Sequence, residues 1–273
     1  DTATAFSAAI TAFYKKIKIG HVEAGLRTSN LYAPFPEEAY RRIISQISSL
    51  HFAPTKIAEQ NLVDSKIMGK VFITGNTVID ALLEVSRRDM KSNLDDQILI
   101  KNKNILVTIH RRENWGDNIT KICNGLIALI KELPQIKFII PMHPNKIVRN
   151  TIIQKLGNYE SALLIEPLKY TDLVNVLKKC YLVLTDSGGL QEEAPSLGKP
   201  VLVLRDNTER IEGIQNGTAK LVGTEAESIY SSVKNLLENN DQYNAMCEAI
   251  NPYGDGKASQ RILDICLKEI NTE

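Results

Sequence analysis

The chain has little of what marks a disulfide-built, metal-binding, membrane-spanning or nucleic-acid-binding protein. Its four cysteines, Cys123, Cys180, Cys247 and Cys266, stand singly, with no C-x-x-C pair and no histidine at ligand spacing. They read as small buried hydrophobes of a reducing cytoplasm. The four histidines, His21, His51, His110 and His143, are scattered, so no metal site is expected. The sequence holds no secretory-signal pattern, no repeat or low-complexity tract, and no apolar run long enough to cross a bilayer. With 33 basic and 32 acidic residues and a formal net charge of +1, no charge asymmetry points to nucleic acid or to an anionic membrane. An anion site must therefore be local.

What is present is a hydrophobic content of 43% over 273 residues, ample for one large or two medium cores. The most informative stretch runs from Leu182 to Leu204. An apolar run ends in Asp186-Ser187-Gly188-Gly189, continues as a helix-compatible segment to Gly198, and is followed by a second apolar run after Pro200, the pattern of a β-α-β unit. First-turn N–H groups lack intrahelical partners and carry the positive end of the helix dipole, so a phosphate or diphosphate is stabilised at such a corner. The plainer alternative is that Ser187 caps the helix and the glycines only make a tight turn.

Ahead of this unit, Asp1 to Thr4 provides polar caps for a helix carrying Phe6, Ala9, Ile10 and Phe13. An α/β protein places a strand before such a helix, so the natural chain is expected to start earlier. A strand candidate over 17–23 delivers Glu23, Gly25 and Arg27 to a loop, and a helix opens at Glu37-Glu38 behind Pro36. Strands near 50–53 and 71–74 alternate with helices near 55–64 and 78–88, and the polar run 89–96 suits a domain junction. From Asn104 the alternation is regular, with strands near 104–109, 136–141, 162–165, 181–185, 200–204 and 219–222. Helices near 225–238 and 257–270 close the chain, separated by the turn 251–256. Repeated β-α units predict parallel sheet with ligands at the carboxyl ends of the strands.

Three sets of residues fall at such ends. Asp1, Glu23 and Glu37 are carboxylates near the ends of successive elements; converging on one cleft they suit acid/base work, and singly they suit helix caps or salt bridges. His110 and Arg111 follow one strand and His143 follows the next, a proton shuttle and a bidentate anion binder where α/β sites form. Arg210 lies beyond the strand neighbouring Ser187, and Glu193 can accept from vicinal hydroxyls as ribose-facing carboxylates do, or either is an ordinary helix charge.

These residues sit in long motifs: His21 to Thr28, Pro36 to Ala39, Thr74 to Asp80, His110 to Asn114, Thr185 to Gly198 and Thr208 to Arg210. Together they resemble the non-hydrolysing UDP-N-acetylglucosamine 2-epimerases almost end to end. The resemblance implies an α/β fold of two Rossmann-like domains in a GT-B-like arrangement, the first incomplete. It divides the chain into 1–92, a UDP-binding domain over 93–256, and a final helix over 257–273 that returns to the first domain. It implies interconversion of UDP-N-acetylglucosamine and UDP-N-acetylmannosamine without a cofactor, by anti elimination of UDP to 2-acetamidoglucal and re-addition, for surface polysaccharide precursors. By the same matching Asp1, Glu23, Glu37 and His110 are catalytic, Ser187, Gly188, Gly189, Glu193 and Arg210 bind UDP, and Glu37, Arg111 and His143 match a regulatory UDP-N-acetylglucosamine site. A homodimer is expected, with no nucleic-acid or membrane partner. The family carries further strands and helices before the position of Asp1, so a separate chain supplying that segment is a candidate partner, and weak catalysis is expected of this chain alone. A GT-B glycosyltransferase and a UDP-sugar-binding remnant are the alternatives.

Overall fold

The computed structural model describes residues 1–28, 30–32, 34–88 and 103–271, so the junction expected over 89–96 lies outside the described residues. The chain forms two compact units, Asp1–Ala81 with Pro252–Glu273, and Leu82–Asn251.

In the first unit, α1 (Ala3–Tyr14) is capped by Thr2, whose Oγ1 accepts from the Ala5 N–H at 3.2 Å. It is followed by β1 (Gly20–Val22), α2 (Glu37–Ile47), β2 (Leu50–Ala53), α3 (Lys56–Asp64), β3 (Lys70–Ile73) and the start of α4 (Thr77–Arg87), which belongs to this unit as far as Ala81. The strands pair in parallel in the order β1-β2-β3, with His21 opposite His51 and Val22 opposite Phe52. The strand expected over 17–23 is shorter at both ends. It stops before Glu23 because that residue turns the chain with φ +60°, a left-handed conformation outside any strand. Gly25 follows at φ +92°, where a Cβ would lie 2.1 Å from the Ala58 carbonyl oxygen, so only glycine fits the close approach to α3.

The closing helix Ala258–Asn271 belongs to this unit. Its start is seated by the Thr74 to Asp80 segment: Asp80 accepts from the N–H groups of Ala258 and Ser259 at 3.0 and 2.7 Å, and the Asn76 N–H donates to the Tyr253 carbonyl at 2.7 Å. A carboxylate on two first-turn donors is the favourable helix-dipole pairing.

The second unit holds β4 (Asn104–Thr108), β5 (Lys137–Pro141), β6 (Ala162–Ile165), β7 (Leu182–Thr185), β8 (Val201–Val203) and β9 (Ala219–Leu221), all parallel in the order β6-β5-β4-β7-β8-β9. Strand alternation sends Ile105, Val107, Phe138, Ile140, Leu182, Leu184 and Leu202 to one face, against the helices Asp117–Glu132 and Ala226–Glu238. Leu106, Ile139, Val183, Val201 and Val203 go to the other, against Val176, Leu177 and Leu190. Burial on both faces is why these strands read as unbroken apolar runs. At about 1.5–3 kcal/mol for each fully buried aliphatic side chain, this core dominates the stability of the unit.

Two expectations need correction. A helix at Asn240–Glu248 fills the stretch between the expected tail helices; none of its residues is buried, so it carries no apolar stripe to read. Cys123 and Cys180 are buried, whereas Cys247 and Cys266 are only partly covered, because they ride on helices that bury little.

Candidate functional site

In the second unit the chain order reverses direction between β4 and β7, which lie side by side. Ligands of open α/β sheets bind in the crevice beyond the strand ends at such a point. The loops that meet there follow β5, β4, β7 and β8, and they bring His143, His110 with Arg111, Asp186 to Gly189, and Arg205 to Arg210 to one edge.

The corner itself is built by local chemistry. The Ser187 N–H donates to Thr185 Oγ1 at 2.9 Å, and Thr185 shares a 2.6 Å hydrogen bond with Thr108 on the neighbouring strand. Ser187 Oγ accepts from the Leu190 N–H at 3.5 Å, a long cap on the helix Gly188–Glu193. A Cβ on Gly188 would stand 3.0 Å from the Arg210 guanidinium carbon and 3.3 Å from an Arg111 nitrogen. Two cations therefore lean over the first helical residue, and glycine makes room for them. At Gly189 an added Cβ would meet nothing nearer than 3.7 Å, so the protein's own packing does not require glycine there.

Arg210 is buried and paired. Its Nε donates to Glu192 Oε1 at 2.8 Å and its Nη1 to Glu209, while its backbone N–H donates to Thr208 Oγ1 at 3.1 Å. Thr208 Oγ1 donates to Gln191 at 2.7 Å, tying the segment to the same helix. Glu209 also accepts from Arg205 Nη1 at 3.0 Å, and Arg205 Nε donates to Glu113 at 2.5 Å. Burial pushes the Glu209 carboxyl up, but Arg210, then Arg205, more than offset it and hold it down at about 2. The Thr208 to Arg210 segment is thus a fixed, charge-compensated bracket for one guanidinium face.

Glu193 is buried, and the Tyr170 hydroxyl donates to its Oε1 at 2.7 Å. Burial raises the Glu193 carboxyl, with the Tyr170 hydrogen bond opposing. His143 Nδ1 accepts from the Asn145 N–H at 3.2 Å, and its ring stacks on His110 with centroids 6.2 Å apart and planes inclined by 25°. His110 and Arg111 are in turn fastened to Asp186, a fully buried carboxylate that accepts the His110 N–H at 2.9 Å, the Arg111 N–H at 2.9 Å and the Asn114 side-chain amide at 3.0 Å.

The first unit gathers the three carboxylates. Glu23, Glu37 and Arg41 all lie within electrostatic reach of the backbone nitrogen of Asp1, so these groups share one neighbourhood. The Asp1 carboxylate pairs with Arg41 at 2.7 Å. Glu23 Oε1 accepts from Asn76 at 3.4 Å, and its left-handed backbone is the kind of local strain that collects at functional sites. Glu37 Oε2 is buried and has no hydrogen-bond partner among the described residues, so an acceptor is left open. Glu38, fully buried, accepts from the Thr28 N–H at 3.2 Å and from Arg42 Nε at 2.8 Å and pins the loop that carries Glu23. Beneath lie two histidines kept neutral: burial, helped by His51, pushes His21 down to about 3, and burial pushes His51 down to about 4.

Sequence patterns did not single out Asp186, Asn114, Glu192, Glu209, Tyr170, Glu38 or Arg41 as site residues. The available signal was position: Asp186 directly precedes the Ser-Gly-Gly corner, Glu38 adjoins Glu37, and Arg41 stands one helical turn from both.

A six-stranded parallel sheet whose switch-point loops hold two guanidinium groups at a helix start defines a Rossmann-like α/β protein with a site suited to a diphosphate. Residues 1–267 match the family model described as UDP-N-acetylglucosamine 2-epimerase, and the chain belongs to that family. It is 48% identical over 268 residues to the Bacillus subtilis UDP-N-acetylglucosamine 2-epimerase, covering 98% of this chain and 70% of that protein. The crystal structure of UDP-GlcNAc 2-epimerase from Neisseria meningitidis bound to UDP-GlcNAc is similar with a TM-score of 0.91 at 47% identity, over 98% of this chain and 74% of that one. An S. aureus MnaA–UDP co-structure matches with a TM-score of 0.95 at 45% identity, over 100% of this chain and 75% of that one.

Proposed function

We propose that this chain is an isomerase that interconverts UDP-N-acetylglucosamine and UDP-N-acetylmannosamine, with UDP leaving to give 2-acetamidoglucal and re-adding after protonation on the other face. Family membership supports the reaction, and the observation that carries the assignment of roles is the pair of guanidinium groups over Gly188. The C2 proton is poorly acidic, so the departure of the diphosphate must supply the drive. Arg210, His110 and the helix start at Ser187, Gly188 and Gly189 stabilise the charge that develops on UDP. Arg111 leans over the same glycine and joins them. Glu193 meets the ribose hydroxyls, with Tyr170 holding the carboxylate in place.

Asp1, Glu23 and Glu37 take and return the C2 proton. Their shared neighbourhood, the strained backbone of Glu23 and the open Glu37 oxygen support this division of labour. The reading keeps Glu37, Arg111 and His143 as candidates for contact with a second, regulatory UDP-N-acetylglucosamine. The surface precursor role belongs to the same proposal.

The test is deuterium uptake at C2 of UDP-N-acetylglucosamine in heavy water, followed by proton NMR together with the appearance of UDP-N-acetylmannosamine. Uptake with formation of the second UDP-sugar is expected. Transfer of the sugar to an added acceptor without C2 exchange would replace the epimerase reading with a glycosyltransferase.

A further inference from the structure

The loop after β4 is tied to the end of β7 by one carboxylate, and that carboxylate also touches the ring of His110. Asp186 Oδ1 lies 2.9 Å from His110 Nδ1. The same carboxylate accepts the backbone N–H groups of His110 and Arg111 and the amide of Asn114, whose second bond reaches the Leu204 carbonyl at 3.1 Å beyond β8. Asp186 is completely buried. Backbone donors and an amide would suffice to hold a neutral loop; a buried charge with an imidazole against it is a costlier choice, stable only with this many donors.

From this geometry we infer that Asp186 is a positioning residue for His110, fixing the imidazole with Nδ1–H toward the carboxylate so that Nε2 is the nitrogen presented to the departing diphosphate. The inference rests on the reading of this sheet edge as the UDP site. The His143 ring, stacked on His110 from the loop after β5, restrains the ring plane, and within that plane turning the imidazole over would break the carboxylate bond. The second nitrogen of a histidine is set by the bond the first one makes, and the free ring has no such preference built in. When His110 carries a second proton, the Nε2–H donates to the phosphate oxygen that gains charge while Asp186 balances the imidazolium. Burial would raise the Asp186 carboxyl; the His110 imidazole, then the backbone donors, outweigh it and hold it below the usual carboxylate range, in keeping with a carboxylate that stays ionised beside the ring.

The experiment reads the tautomer directly. Imidazole nitrogen NMR of the whole chain, at a pH where the ring is neutral and with His110→Gln to assign the signals, is expected to show His110 protonated at Nδ1 and bare at Nε2. Asp186→Asn is expected to move the proton to Nε2 and to weaken UDP binding by about tenfold in calorimetry, because the imidazolium that the carboxylate balances is lost and a weaker, neutral N–H donor takes its place. Asn114→Ala, which loosens the loop but leaves the pair, is expected to keep the parent tautomer. A parent ring protonated at Nε2, or an Asp186→Asn ring with the parent tautomer, overturns the inference, and the first of these does not depend on the Asp186 variant folding. If the tautomers behave as stated but UDP binds neither protein, the nucleotide reading fails, and with it the task assigned to Nε2, while the pairing stands.

Discussion

The two units solve the same architectural problem to different degrees. The second buries both faces of its sheet under helices, and its charged site residues are locked in a network in which Arg210 meets Glu192 and Glu209, and Glu209 meets Arg205. The first, over its described residues, pairs three short strands and leaves Phe13 53% and Tyr14 81% exposed, with Ile17 and Val22 also open. Its interior instead holds groups that dislike burial, the neutral His21 and His51 and the carboxylate Glu38. On the proposed assignment, the pre-paired network of the second unit is what would hold an anion, and the left-handed backbone of Glu23 marks the place in the first where a proton would be exchanged.

The largest effect that would sharpen this comparison is on the buried network. Arg210→Ala leaves Glu192 and Glu209 as buried charges without their common partner, so the second unit is expected to lose about 3–5 kcal/mol, read as faster amide exchange across β7 and β8. Amide exchange unchanged there would show that the ion pairs are incidental. Close behind, Leu126→Ala removes a fully buried side chain from the better-packed face and is expected to cost about 2–5 kcal/mol in denaturant titration. Phe13→Ala, by contrast, removes a half-exposed ring and is expected to cost under about 1 kcal/mol. Equal losses for Leu126→Ala and Phe13→Ala would break the comparison outright.

Acid should separate the units as well. An imidazole whose folded-state value lies below its ordinary 6.5 makes the unfolded chain the better proton binder. Its stability contribution is therefore complete above about pH 6.5 and lost as pH falls toward about 4 for His51 and about 3 for His21. Glu209 is depressed from 4.5 to about 2, so its contribution is present above its unfolded value and lost only as pH falls through that lower window. Amide exchange in the first unit is thus expected to accelerate at a higher pH than in the second. Simultaneous loss in both units, or earlier loss in the second, contradicts that ordering.

Much of this was legible beforehand because apolar runs and breakers leave marks. The strands β4 to β9 could be read since both sheet faces are buried, and the Ser187 corner could be read since a helix start after an apolar strand has few alternatives. What could not be read were charges hidden inside the fold. Glu38 and Asp186 have the composition of surface residues, and only the convergence of donors explains their burial: Thr28 and Arg42 on Glu38, and His110, Arg111 and Asn114 from far along the chain on Asp186. The helix Asn240–Glu248 was invisible for the opposite reason, having no buried residue to give it a period. Glu23 ended its strand early through a backbone conformation that side-chain pattern does not report.

The division of labour between the units is tested most directly by Glu23→Gln, which keeps shape and hydrogen-bonding capacity but removes the proton acceptor. C2 exchange of UDP-N-acetylglucosamine and UDP affinity by calorimetry, measured on one preparation of each protein, should part company: exchange falls on the order of 10²-fold or more while UDP binding stays near the parent value. Exchange at the parent rate, or a loss of UDP affinity matching the loss of exchange, would contradict the assignment of proton chemistry to the first unit and nucleotide binding to the second.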